Sequence, residues 1–479
     1  MSYRSFVWGF RKLPPGYMAW TSRIRAKRAF FSALNEVPAY AEFLKARGAT
    51  RQNIPETDKD SYIKMFSPES RCTGGQIPAT QVMIDESSGS TGTPYNWIRS
   101  LRERHDMHLF ISYFATYCFG SEPWITINSF SMGAWATGHN MGLALQKNSI
   151  VKNTGPDVPK IFNTLKHFGP RYTYLLSGYP PFLKYLIDTA EAEGFPIEDY
   201  RLYALPGGEG MSEGLRDYLF RRFQIVYSGY GATDLEIGIA GETPISVAIR
   251  RLARDNATVR QKLFGNDSRL PMLFQYNPLM HYIEVNENRE LIFTITRSSL
   301  LSPRIRYNVH DQGGVARYDE VAKSLSSIGF NVDELATKSG PPPMRLPFLW
   351  VYGRRDYTIS IMGANIYPED LEQCLYSDKE LARITISYCL SLYETPDRNL
   401  RPLFLFEINE EPTDELERRF SESIMRHLIE LNADFKEAWR EYSETMTPKI
   451  QLYRTGEGPF KEDSQRIKQA RFLKSMQGL

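Results

Sequence analysis

Apolar and polar positions along the chain alternate between short strand-like runs and longer helical ones. Residues 20–48 place aromatic and aliphatic side chains among basic ones at helical spacing, which predicts an amphipathic helical segment. Farther on, one theme recurs. A short apolar, aromatic-rich run enters a Gly-rich turn, and a helix follows. Trp124-Ile125-Thr126-Ile127-Asn128 is such a run, with Met132-Gly133 and Gly138 behind it. Residues 172–176 lead through Ser177-Gly178-Tyr179-Pro180-Pro181 into a predicted helix over 182–193. Residues 202–205 lead through Pro206-Gly207-Gly208-Glu209 into a helix predicted to end near Phe223. Strands alternating with helices predict α/β layers. Ligands in such folds sit beyond the carboxyl ends of the strands, where these turns fall.

The pattern changes near residue 340. Lys338-Ser339-Gly340-Pro341-Pro342-Pro343 reads as a loop or linker, and Tyr352-Gly353-Arg354-Arg355-Asp356 follows soon after. Beyond it, residues 383–390 and 403–408 read as strands, and 414–431 as a helix with one heavily charged side. The expected organisation is an α/β protein in two parts. A large N-terminal domain of layered β-sheets and helices spans 1–355, and a small α+β C-terminal domain spans 356–479.

Composition narrows the class. A chain of 479 residues is too long for one ordinary core. Hydrophobic residues at 42% and charged residues at 24% suit a soluble globular protein, and the mean hydropathy of −0.40 agrees. The formal net charge is only +2, which gives no reason to expect nucleic acid or acidic membrane as the main partner. One basic run, Arg23, Arg25, Lys27 and Arg28, reads as a solvated helix face, with an anionic docking patch as the sharper alternative. The four cysteines are scattered without a CxxC pair, so neither a disulfide framework nor structural zinc is expected. No apolar leader run and no membrane span are evident, and a cytoplasmic location is expected.

Four segments carry candidate chemistry. The first is Ser87-Ser88-Gly89-Ser90-Thr91-Gly92-Thr93-Pro94, after the apolar run Val82-Met83-Ile84. Its glycines expose backbone N–H groups to phosphate oxygens and its hydroxyls add donors, although it lacks the GK[ST] ending of a Walker loop. Alone, such a stretch is more often an ordinary loop. The second is Gly207-Gly208-Glu209, where a flat ligand can approach the backbone closely. The third is Tyr227-Ser228-Gly229-Tyr230-Gly231-Ala232-Thr233-Asp234. Tyr230 offers a stacking face, Thr233 a hydroxyl for a phosphate, and Asp234 a hard oxygen ligand for Mg²⁺. The fourth is Arg306-Tyr307-Asn308-Val309-His310-Asp311-Gln312-Gly313-Gly314. Asp311 there can accept both hydroxyls of a ribose, while a hairpin turn is the bland alternative.

Taken in order, and followed by Gly353-Arg354-Arg355-Asp356 and Gly363-Ala364-Asn365-Ile366-Tyr367-Pro368-Glu369, these segments resemble the adenylate-forming superfamily of acyl-CoA synthetases, adenylation domains and luciferases. The resemblance runs from about residue 80 onward and is strongest to the phenylacetate–CoA ligase branch. It implies that Ser87, Ser88, Gly89, Ser90, Thr91 and Gly92 form the phosphate loop. Gly207, Gly208 and Glu209 would lie beside adenine, and Tyr230 would stack on it between Gly229 and Gly231. Thr233 would contact the α-phosphate, Asp234 would help hold Mg²⁺, and Asp311 would bind the ribose. Arg354 would lie near the nucleotide and Asp356 at an interdomain hinge. Lys468, three residues before Arg471 and Phe472, matches the family's catalytic lysine. Thr93 replaces a common lysine, His310 a common glycine and Asp234 the usual Glu.

The implied reaction joins a carboxylic acid to ATP as an acyl-adenylate with release of pyrophosphate. Transfer to coenzyme A follows, or alternatively to an amine or a carrier-protein thiol. A catalytically silent nucleotide-binding scaffold is the reading from another class. The resemblance places the acid pocket among Trp135, Ala136, Thr137, Gly138, His139, Tyr179 and Tyr203. Their aromatic content points to an aryl or arylacetic acid.

Overall fold

Trp124–Asn128 is a strand buried along its whole length, as a parallel sheet covered on both faces requires. The computed structural model describes residues 2–50, 53–86, 95–267, 269–354, 359–362, 364–395 and 400–461. Among them, Trp124–Asn128 lies inside a five-stranded parallel sheet, in the order Ile150–Asn153, Trp124–Asn128, Thr173–Gly178, Arg201–Pro206, Ile225–Val226. The helices Ala136–Leu145, Val158–Phe168, Pro180–Ala192 and Glu213–Leu219 link or flank these strands. Proline stands in the first turn of two of them, where its missing N–H costs nothing. The last helix stops at Leu219, short of the expected Phe223. The chain must turn there so that Gln224 N–H can reach the Leu202 carbonyl (2.8 Å) and lay Ile225–Val226 onto the sheet edge.

The second sheet has seven strands paired antiparallel: His281–Val285, Glu290–Ile295, Tyr307–Ala316, Phe348–Arg354, Met272–Tyr276, Glu236–Gly241 and Gly229–Ala232. Tyr307–Ala316 runs straight through Asp311-Gln312-Gly313-Gly314, so no hairpin forms there. The two glycines serve packing instead. A Cβ on Gly313 would lie 2.1 Å from the Trp350 carbonyl oxygen, and one on Gly314 would lie 2.2 Å from the Trp350 indole. The Pro-rich stretch near 340 follows the helix Val332–Ser339 and feeds Phe348–Arg354 into the middle of this sheet. It is therefore a surface connection within the sheet.

Residues from Ile359 onward build a core of their own around Leu371, Phe404, Phe406, Phe420 and Ile424. Thr385–Glu394 pairs antiparallel with Leu400–Ile408, which pairs parallel with Lys449–Arg454. The helix Asp414–Leu431 has the bounds its charge pattern predicts, and Phe420, Ser423, Ile424 and Leu428 make its buried face. Residues 383–384, expected in a strand, end the short helix Lys379–Ile384. This part touches the parallel sheet's helices directly. Glu372 Oε2 accepts the Ser212 N–H at 2.7 Å, Lys184 Nζ donates to the Thr385 carbonyl at 2.9 Å, and the Tyr218 and Tyr376 rings meet edge to face at 5.8 Å.

The two large sheets are joined through a buried ion cluster. Arg216, with a fully buried side chain, lies 2.9 Å from Glu213 and 2.5 Å from Glu242, and Arg250 lies 2.7 Å from Glu213. Arg216 also donates to the Val226 carbonyl at 2.6 Å, while Glu242 accepts the Ser228 N–H at 2.8 Å. Burial would raise the Glu213 carboxyl, but Arg216 and Arg250 hold it below its ordinary value. Replacing Arg216 by Met leaves two buried carboxylates short of a partner. Chemical denaturation should show a loss of about 3–5 kcal/mol, whereas Arg418→Met on the exposed helix should leave the midpoint unchanged.

Candidate active site

The site grows from the seam between the sheets. Gly207 ends the strand Arg201–Pro206 and bridges in parallel to Gly229. A Cβ on Gly207 would sit 3.3 Å from the Gly229 carbonyl oxygen, so a side chain there would press on the bridge. Gly231 lies where a Cβ would come 2.8 Å from the Gly238 nitrogen, which ties glycine at 231 to the pairing of Gly229–Ala232 with Glu236–Gly241. Between these glycines, the Tyr230 hydroxyl donates to Asp311 Oδ2 at 2.7 Å, and its ring leans on Phe274 at 5.6 Å. Three motifs spread over about a hundred residues of sequence are thus brought together. Asp311 is also the register partner of Arg354 across two neighbouring strands.

His310 precedes Asp311 at φ +63°, in the left-handed region that favours glycine. Here the His310 N–H donates to Asn308 Oδ1 at 2.7 Å, a local bond that offsets the strain.

Thr233 and Asp234 occupy the turn after Gly229–Ala232, half-buried and held by their own backbone. Arg99 Nη2 donates to the Thr233 carbonyl at 2.5 Å, and Arg304 Nε donates to the Asp234 carbonyl at 2.8 Å. The Tyr307 hydroxyl donates to Asp234 Oδ2 at 2.9 Å. Both side-chain functions, the Thr233 hydroxyl and Asp234 Oδ1, make no hydrogen bond among the described residues and are available to a ligand. Two residues on, Glu236 is committed elsewhere. It is bound by His281 and Arg297, and although burial pushes its carboxyl up, Arg297 and the His281 bond bring it down to about 2.

A cavity of ≈ 740 Å³, counted with its open mouth, begins at this seam. Gly207, Gly208, Tyr230 and Gly231 line it, and Phe110, Ile111, Phe114, Phe119, Phe130 and Ile237 give it an apolar wall. Cys118, Ser228 and Glu242 are also lining residues. The Ser228 hydroxyl is buried without a hydrogen-bond partner among the described residues, and so favours a polar atom of whatever fills the space. Gly238 and Gly241 let the helix Leu101–Phe119 lie directly on the strand. A Cβ at either would fall 2.6 Å from Ile111 or 2.5 Å from Phe114.

Of the residues assigned to the acid pocket, Thr137 lines the cavity, with Met141 one turn farther along the same helix. Trp135, His139 and Tyr179 are not among its lining residues. Trp135 precedes the helix Ala136–Leu145 and bridges to Glu86. His139 is held below its ordinary value by burial and then by Arg104. Tyr179 packs edge to face on Phe130 at 5.1 Å, and Tyr203 stacks on Phe119 at 6.1 Å. These tyrosines therefore stand behind the wall. The wall's own aromatics were present in the sequence as Phe110 and Phe114, four residues apart, but that spacing is equally the mark of a core-facing helix.

The phosphate-loop residues Ser87, Ser88, Gly89, Ser90, Thr91 and Gly92, the hinge Asp356, Gly363 and the lysine Lys468 lie outside the described residues. The strands that flank the loop, Val82–Glu86 and Asn96–Ser100, are paired antiparallel, with Glu86 opposite Asn96. Their Asp85 and Arg99 are 3.2 Å apart, so the root of the loop and the Thr233 carbonyl share one arginine.

Acid titration tests the anchoring of Glu236. Its folded value of about 2 lies below the ordinary 4.5, so its stabilisation is present above pH 4.5 and is lost as the pH falls toward 2. Glu236→Gln should therefore lower stability near neutrality by about 3 kcal/mol and flatten its pH dependence across that window. Urea midpoints measured from pH 2 to pH 7 read both effects.

No protein-family model and no curated protein matches the sequence. Solved structures do match the fold. A crystal structure of 2-hydroxyisobutyryl-CoA ligase in the postadenylation state, in complex with 2-HIB-AMP, aligns over 97% of this chain and 91% of its own, at TM-score 0.70 and 12% identity. The same enzyme with 2-HIB-AMP and CoA in the thioesterification state covers 98% and 91% at TM-score 0.56 and 13% identity. The anthranilate CoA ligase AuaEII, in complex with anthranoyl-AMP, covers 89% of this chain and 77% of its own at TM-score 0.52 and 13% identity.

Proposed function

We propose that this chain, which shares the fold of 2-hydroxyisobutyryl-CoA ligase, is an adenylate-forming enzyme that activates a carboxylic acid with ATP and passes the acyl group to coenzyme A. The observation that carries this reading is that Gly207, Gly208 and Tyr230 line one apolar cavity while the Tyr230 hydroxyl donates to Asp311. Glycine backbone and a tyrosine ring suit a flat base. A carboxylate on the neighbouring strand suits ribose hydroxyls, and the apolar wall beyond suits an acyl group. The acid in this reading is aromatic or arylacetic, as for a phenylacetate–CoA ligase-like enzyme, and anthranilate CoA ligase offers an aromatic precedent on the same fold.

In the first step a carboxylate oxygen attacks the α-phosphorus of ATP, the new O–P bond forms, and pyrophosphate leaves. Thr233 contacts the α-phosphate, and the amides and hydroxyls of residues 87–92 bind the leaving β- and γ-phosphates. Lys468 neutralises charge that develops between two anions. Among the described residues no cluster of three potential ligands exists that would hold a metal by protein alone. Asp234, with one oxygen unengaged among the described residues, would help hold Mg²⁺, and the ion would supply further charge neutralisation. The cavity wall keeps water from the acyl-adenylate.

In the second step the CoA thiol attacks the acyl carbon, and AMP leaves. We assign residues 1–355 to the nucleotide- and acid-binding domain and 356–479 to a lid that turns about Asp356. The turn breaks the Glu372–Ser212 and Lys184–Thr385 bonds and withdraws Lys468.

Carboxylate-dependent ATP–pyrophosphate exchange tests the reading across aryl, arylacetic and fatty acids. Exchange should require one class of acid and fall by about 10²–10³ in Lys468→Ala. An absence of exchange with every acid, despite ATP binding, would count against adenylation. Product analysis with CoA, an amine or a carrier protein then identifies the acceptor. A smaller change reads the wall. Phe114→Ala enlarges the cavity and should shift kcat/KM toward bulkier acids by about 10-fold or more, with ATP's KM unchanged.

A further inference from the structure

The helix Pro15–Glu36 has two apolar faces. One is buried through Met18, Ala26, Phe30 and Ala33, with Ser22 among them. The other faces solvent. Tyr17, Trp20 and Ile24 recur at helical spacing on the side opposite Ala26, and Tyr17 and Trp20 are 52% and 59% exposed. Their rings meet at 5.9 Å, so the two aromatics form one patch. Arg23, Lys27 and Arg28 flank it and are exposed. No salt bridge to any of the three is found among the described residues. On the preceding helix, Tyr3–Lys12, Trp8 is 68% exposed.

Charge is concentrated in the same segment. The first 36 residues hold seven Lys and Arg against the single Glu36, a formal excess of six, although the whole chain carries only +2. The remainder is therefore slightly acidic. An exposed aromatic ridge with flanking cations and almost no carboxylates is the composition of a helix that lies on a lipid surface. Trp and Tyr enter the headgroup region there, and Arg and Lys meet anionic phosphates. A second copy of this chain is a poor occupant, because the two basic ridges would repel each other.

We propose that this outward face of the Pro15–Glu36 helix docks the protein on an anionic membrane surface. The attachment is peripheral, since no helix among the described residues is long and apolar enough to cross a bilayer. The inference is independent of the adenylation chemistry. It draws on the basic run whose sharper sequence reading was an anionic docking patch.

Vesicle co-sedimentation of the full-length protein tests it. The protein should pellet with phosphatidylcholine vesicles containing phosphatidylglycerol at low ionic strength, and not with phosphatidylcholine alone. Added salt should weaken the binding. The triple variant R23E/K27E/R28E should lose more than about 10²-fold in partitioning, and Y17A/W20A about tenfold. Neither touches the cavity, so both should keep the wild-type exchange activity and Tm. If the charge reversals lower Tm, the set R23Q/K27Q/R28Q replaces them, with a loss of about 10²-fold expected. Failure to bind anionic vesicles at low salt would overturn the proposal. So would equal binding by Y17A/W20A and wild type, which would mark simple ion exchange. Retention on an acidic polypeptide without retention on vesicles would assign the face to a protein partner and equally overturn it.

Discussion

The arrangement depends on Arg216, a guanidinium sealed between Glu213 and Glu242. Burying a charge is costly, and replacement by well-packed apolar groups is often neutral, so this cluster is better read as a device of registry than of raw stability. Its partners lie on different elements. Glu213 opens a helix of the parallel sheet, and Glu242 follows the Glu236–Gly241 strand of the antiparallel one. The Val226 carbonyl and the Ser228 N–H lie on the segment that passes between the two sheets. Fixing those groups fixes the Gly207–Gly229 bridge, and with it the seam where the cavity opens. The bond from Glu372 to the Ser212 N–H lies one residue from Glu213, so the C-terminal part docks on the same ground.

A division of labour among carboxylates follows. Glu236 is consumed by His281 and Arg297 and holds the hairpin in place. Asp234, two residues earlier, has its carbonyl pinned by Arg304 and keeps one carboxylate oxygen unengaged. Asp311 is presented on a continuous strand, beside the ring of Tyr230. Arginine does the pinning throughout, and its planar fork suits backbone carbonyls and carboxylates alike.

Much of this was legible in the sequence because the relevant signals are local. The runs around Trp124, Thr173 and Leu202 are strands because they are apolar at every second position or throughout. Gly231 is tied to a close backbone approach that a side chain would not fit without displacement, and a Cβ on Gly207 would press on the Gly229 carbonyl. The reading lost ground where meaning depended on distant partners. Asp311-Gln312-Gly313-Gly314 has the composition of a turn, yet its glycines make room for Trp350 on the next strand. The Pro-rich stretch near 340 has the composition of a linker, yet it feeds a central strand. Trp135, His139 and Tyr179, assigned to the acid pocket through the resemblance, are not among the residues that line the cavity. Its lining includes Phe110 and Phe114, from a helix nearly a hundred residues before Gly207, which look like any core-facing pair. The phosphate loop, Asp356 and Lys468 lie outside the described residues, and their roles rest on resemblance.

In the proposed reaction one seam receives a nucleotide and an acyl group together. A crystal structure with a non-hydrolysable acyl-sulfamoyl adenosine, carrying the acid found by exchange, tests it most directly. The account predicts adenine against Gly207-Gly208 and Tyr230, ribose hydroxyls on Asp311, and the acyl group among Phe110, Phe114 and Phe119. An analogue bound elsewhere, or a cavity that remains empty while the nucleotide is held, would contradict it.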